Sequence, residues 1–191
     1  MSTTLHSRGA RAARPLIALA ALGLFLLPNL SCTRQPRYSD ESFYEDVAWG
    51  VMTGLSDIFN QNLAGTPTGT VDITAPGPFG GTVHITGTTS FDSGHGIETV
   101  HLAYDMVACQ VSSTSSASDL NVNLTLTGAI TEDGSWSSAG TSLSYNCPTL
   151  SMNGTSKRGD KSRDVSGSTS FKANQTSSGT SAELFGFDVS W

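Results

Sequence analysis

DLNVNLTLTGAITEDGSWSSAGTSLSYNC, Asp119 to Cys147, is the stretch on which the fold turns. Apolar and polar residues alternate along both halves, the period of a half-buried strand. Between the halves stands Asp133-Gly134, a strong type I′ hairpin signal. With Glu132 set opposite Ser135, Leu120 faces Cys147, Val122 faces Tyr145 and Leu124 faces Leu143. Asn121, Asn123, Ser144 and Asn146 take the other face. A slip of one residue would turn every apolar side chain to solvent, so the register is expected to be well specified. The expectation is an antiparallel hairpin with Cys147 on its buried side.

The pattern extends in both directions. In residues 97–111 the apolar phase switches: Val100, Leu102, Tyr104 and Met106 are even, while Val107, Cys109 and Val111 are odd. A β-bulge at Met106-Val107-Ala108 would keep both sets on one face and turn Cys109 to the core. Upstream, GTVDIT (69–74) and GTVHIT (81–86) are near copies. Pairing Val71 with Ile85 and Ile73 with Val83 leaves a five-residue hairpin loop. Downstream, TLSMNGT follows Pro148, KRGDKSRD (157–164) reads as a charged loop, and strands are expected near 165–174 and 181–191. Ahead of the strands, Ser42-Phe43-Tyr44-Glu45 reads as a helix-starting capping box. Tyr44, Val47, Ala48, Val51, Leu55, Ile58 and Phe59 then recur at helical spacing, and the helix is expected to stop near Gly65. The fold class is therefore α+β with β dominant: an N-terminal amphipathic helix followed by a curled antiparallel sheet of about eight strands.

The first 14 residues carry Arg8, Arg11 and Arg14 and no acid, and Pro15 to Leu27 carry no charge. A basic region followed by a short apolar run is the plan of an export signal. Thirteen residues rise about 20 Å as a helix, short of the roughly 30 Å bilayer core. LLPNLSC (26–32) closes the run on a cysteine, and at Leu30-Ser31-Cys32 the segment resembles a bacterial lipoprotein signal. Asn29 stands where that family favours an aliphatic residue. The resemblance implies cleavage before Cys32, lipidation of Cys32 and a membrane anchor. It divides the chain into a signal peptide (1–31), a lipidated tether (32–41) and one domain (42–191). Thr33 takes the place of the aspartate that holds enteric lipoproteins at the inner membrane, so the resemblance points to the outer membrane of a bacterium.

Without residues 1–31 the chain keeps seven basic against sixteen acidic residues, a net charge of −9. That balance argues against a nucleic-acid groove. Cys109 and Cys147 are the two cysteines left beside Cys32, and in an oxidising compartment a disulfide is the default for such a pair. A flat meander would hold them two strand spacings apart, nearly 10 Å, so the bond requires a curled sheet or a non-sequential strand order.

Signals of chemistry are sparse. His84, His95 and His101, with Asp92 or Asp105, show no tight metal-ligand spacing, and no metal site or cofactor is assigned. No motif marks a nucleophile, a phosphate loop or a redox pair, so no catalytic residue is assigned. Arg158-Gly159-Asp160 reads as a solvated turn. Asn123, Asn153 and Asn174 begin glycosylation sequons that matter only in a eukaryotic secretory route. ELFGFDVSW at 183–191 puts Phe185, Phe187, Val189 and Trp191 on one face, which resembles the closing strand of an outer-membrane barrel. The expected function is a non-enzymatic envelope lipoprotein with a structural or protein-interaction role. The alternatives are a half-barrel carrier of a lipid or other apolar ligand and a small eight-stranded outer-membrane barrel.

Overall fold

The structure, a computed structural model, describes residues 38–65 and 68–191. The signal segment and Cys32 lie outside the described residues. Within them the protein is β-dominant: one helix, α1 (Asp40–Asn62), precedes strands β1 (Gly69–Pro76), β2 (Thr82–Asp92), β3 (Ile97–Ser115), β4 (Leu120–Ser137), β5 (Gly140–Arg158), β6 (Lys161–Thr176), β7 (Gly179–Leu184) and β8 (Phe187–Ser190). All eight strands form one antiparallel sheet in sequential order. The sheet is not closed, since β1 and β8 are its two edges.

Helix α1 starts three residues before the expected capping box. Ser39 is the N-cap, and its hydroxyl accepts from the Ser42 amide at 3.1 Å. Asp40 and Glu41 follow in the first turn, where the helix dipole favours negative charge. The helix closes at Leu63. Val47, Ala48, Val51, Leu55 and Ile58 are buried as the periodicity predicts, joined by Phe43 and Met52. Gly50 and Gly54 lie on the same face, one turn apart. A β-carbon on Gly50 would sit 2.5 Å from Val122 Cγ1, and one on Gly54 would sit 2.5 Å from Val111 Cγ1. The helix therefore rests backbone-close on β3 and β4, and the inner face of the sheet beneath it is packed.

The long strands alternate as expected but pair differently. Leu120, Val122, Leu124, Leu143, Tyr145 and Cys147 are all buried, and Asn121, Asn123, Ser144 and Asn146 are exposed. Yet Val122 pairs with Ser156, Leu124 with Gly154, and Tyr145 with Glu132. The turn is at Ser138-Ala139, and Asp133-Gly134 lies inside β4. Gly134 takes a positive φ of 142, which L side chains rarely adopt, and a β-carbon there would meet the Ser142 carbonyl oxygen at 2.1 Å. Its glycine serves close backbone approach, not a turn.

The bulge in β3 is where the phase switch predicts it, between Met106 and Cys109, with Ala108 at φ 48. It turns Cys109 inward to full burial. A second bulge lies beside it across the sheet. β5 runs straight through Pro148, and its register slips between Asn146 and Ser151 on one side and between Cys147 and Leu150 on the other. Proline lacks the N–H a ladder needs, so the bulge falls where pairing is already broken.

Three smaller expectations change in detail. β1 and β2 pair Ile73 with Ile85 and Ala75 with Val83, two residues out from the expected register, and the loop keeps five residues at 77–81. The charged loop is a two-residue turn, Gly159-Asp160, between Arg158 and Lys161. The last expected strand is a hairpin: Phe185 and Gly186 both take positive φ, and Leu184 pairs with Phe187.

Candidate functional site

Two polar clusters and one cleft concentrate the chemistry of the inner face. The first cluster pins the helix. Asp46 is 1 % exposed. Arg158 Nε donates to its Oδ2 at 2.9 Å, and Arg158 Nη2 donates to its Oδ1. The Tyr38 hydroxyl donates to Asp46 Oδ2 at 2.6 Å and lies 2.6 Å from Ser156 Oγ. Burial, with the Asp46 carboxylate beside it, pushes the Tyr38 hydroxyl above its ordinary value. Arg158 of the Arg-Gly-Asp triplet is thus turned onto the helix. Tyr38 belongs to the folded unit, which begins ahead of Ser42. Beside this cluster the Arg163 guanidinium stacks 4.0 Å from the Phe43 ring centroid, and Tyr44 stacks on Phe187 at 4.4 Å.

The second cluster is built around Glu132, which is 5 % exposed. Tyr104 Oη donates to Oε2 at 2.5 Å and Tyr145 Oη donates to Oε1 at 2.9 Å. Burial raises the Glu132 carboxyl above the usual range, and the two tyrosine hydroxyls oppose that rise. Burial and the nearby Glu132 charge raise both tyrosines. The strand register explains the meeting. Tyr145 sits opposite Glu132 on β5, and Tyr104 lies two residues along β3 from Leu102, the β3 partner of Glu132.

Above this cluster opens a cleft of about 560 Å³ between the C-terminal half of α1 and the strand ends. Its lining includes Trp49, Trp136 and Trp191, all the tryptophans of the chain. Phe59 meets Trp136 edge to face at 5.5 Å. Glu98 and Glu132 also line it, and among the described residues no Lys, Arg or His does. The sequence carried no local signal for this site: its residues come from α1, β3, β4, β5, β6, β7 and Trp191, and only the fold gathers them.

The expected cysteine pair is not bonded in this structure. Cys109 and Cys147 are both buried free thiols. The order β3-β4-β5 places β4 between them, and two strand spacings exceed the reach of a disulfide. Burial raises both thiols above their ordinary values.

The expected histidines lie apart on the surface, each beside an aspartate: His84 with Asp72, His95 with Asp92 and His101 with Asp133, at 2.7–2.8 Å. Among the described residues, no three His, Cys, Asp or Glu side chains gather to hold a metal ion. No protein-family model matches the chain, and neither the curated proteins nor the solved structures hold a significant match to it.

Proposed function

We propose that the chain is an exported, lipid-anchored envelope protein that acts by binding and carries out no catalysis. The anchor half rests on the basic and apolar run that ends at Cys32. The binding half rests on one observation, the cleft lined by all three tryptophans beside an otherwise packed inner face. The sheet curls round α1. Tyr44 stacks on Phe187 of β8 while Gly54 touches Val111 of β3. Ten helical residues rise about 15 Å, whereas five strand spacings in a flat sheet span about 24 Å.

Two other readings have less support. A lipid carrier needs an empty groove lined by aliphatic side chains, and here α1 fills that place with Val47, Val51, Leu55 and Ile58. A membrane barrel turns an apolar band outward, and the outer face here carries Asn121, Asn123, Ser144, Asn146 and Lys172 on an open sheet. The test is partition of the wild-type and Cys32→Ala proteins between membrane and soluble fractions of the expressing bacterium. The proposal expects the wild type in the membrane and the variant released. Retention of Cys32→Ala after carbonate washing would overturn it.

A further inference from the structure

We infer that the tryptophan-lined cleft binds a small organic cation, with a quaternary or otherwise alkylated ammonium group held against a tryptophan ring of its lining. The inference deepens the binding role proposed above and rests on it. Four observations converge on this ligand class.

The aromatic rings come first. Trp49, Trp136 and Trp191 are all partly exposed at the cleft. A large ring left open to water forgoes burial that the packed core gives every other large aliphatic side chain around it. The Phe59 edge-to-face contact fixes Trp136 in place. Tryptophan has the strongest ring quadrupole for a cation, and alkylated ammonium ions lose little hydration on contacting it.

Charge comes second. Among the described residues the cleft lining has the side chains of two glutamates and of no basic residue. The chain beyond the export signal is also strongly acidic. A cleft lined by one sign of charge concentrates ligands of the opposite sign.

Third, the two acids are placed wrongly for a metal. Glu98 pairs with Trp136 and Glu132 pairs with Leu102, four residues apart along β3. That separation is about 13 Å, too far for both to ligate one ion. Both oxygens of Glu132 are already taken by Tyr104 and Tyr145. Glu132 is therefore held by its two tyrosines rather than offered to a metal, and Glu98 is the partly exposed acid of the lining. Fourth, the volume of about 560 Å³ is that of a small-molecule site. Thr53, Ser56, Thr141, Gln175 and Thr180 add a polar wall, which suits a solvated head group better than a long acyl chain.

The experiment is a tryptophan-fluorescence titration of the full mature protein in detergent. The probes are choline, its uncharged isostere 3,3-dimethyl-1-butanol, and a neutral disaccharide. The expected result is saturable binding of choline. The isostere should bind at least about tenfold more weakly, the loss of a cation–π and charge contribution of about 1.4 kcal/mol or more. Glu98→Gln and Trp191→Leu should each weaken choline binding several-fold while leaving the thermal midpoint within a few degrees. Both side chains are partly exposed, so either variant reports even if a Trp136 variant fails to fold. Three results would overturn the inference: no saturation by choline up to about 10 mM, equal binding of choline and its isostere, or binding of the disaccharide alone. None of them bears on anchoring through Cys32, which membrane partition tests separately.

Discussion

Gly54→Ala is the sharpest test of how α1 sits on the sheet. In an exposed helix this change is stabilising by about 1 kcal/mol, because alanine loses less backbone entropy than glycine. Here the new methyl group would stand 2.5 Å from Val111 Cγ1 and 2.8 Å from Val111 Cβ. The Cβ is one bond from the β3 backbone, so no rotamer change clears it, and the helix or the strand must move. Overpacking of this kind costs about 1–3 kcal/mol. Set against the helix gain, the net runs from about zero to a loss of about 2 kcal/mol, or up to roughly 4–8 °C in the thermal midpoint of a domain this size. Chemical denaturation of wild type, Gly54→Ala, Val111→Ala and the double variant measures it. Val111→Ala alone leaves a cavity and destabilises, but it removes the Cγ1 and Cγ2 contacts at 2.5 and 3.1 Å and leaves only the Cβ contact at 2.8 Å against the methyl group that Gly54→Ala adds. The double variant should therefore be more stable than the sum of the singles by about 1 kcal/mol or more. A stabilising Gly54→Ala with additive behaviour would refute the close seating of α1 on β3.

Further outcomes follow from the polar clusters and the thiols. Arg158→Ala leaves the buried Asp46 carboxylate with the Tyr38 hydroxyl as its side-chain partner among the described residues, and should cost about 3 kcal/mol or more. The Asp46→Asn/Arg158→Met pair should recover a large part of that loss, as read by urea denaturation. Burial holds the Glu132 carboxyl above its ordinary value, so the folded state binds its proton more tightly than the unfolded chain. That contribution is fully present below the unfolded value of about 4.3 and is lost as pH rises through the folded value. Glu132→Gln should flatten this fall in a pH series of thermal midpoints. Cys109 and Cys147, separated by β4, should both alkylate with iodoacetamide in denaturant without any reductant. Protection until reductant is added would show a bond that this strand order does not accommodate.

The faces of this fold were legible and the partners were not. Alternation put Leu120, Val122, Leu143 and Tyr145 on the buried side and the phase switch at Val107-Ala108 located a bulge, because both depend only on local period. Register depends on where the turn falls. Asp133-Gly134 looked like the turn, but the observed ladder in that half is offset by an even number of residues, and an even offset keeps every face unchanged. Face agreement was therefore blind to the error. Pro148 lacks the N–H that a ladder needs, and β5 absorbs it in a bulge. Gly186 hid a turn inside an aromatic run that looked like one strand. The cleft was the least legible feature. Trp49, Trp136 and Trp191 are far apart in the chain, and they line one cleft only once the sheet lies against α1.

Intact mass and N-terminal identity of the protein taken from bacterial membranes test the central claim, an anchored envelope binding protein, most directly. The account predicts a mature chain that begins at Cys32 and exceeds the mass of residues 32–191 by a diacylglyceryl group and any amide-linked acyl chain. A membrane-held chain that retains residues 1–31, or one that starts elsewhere without lipid, would contradict it.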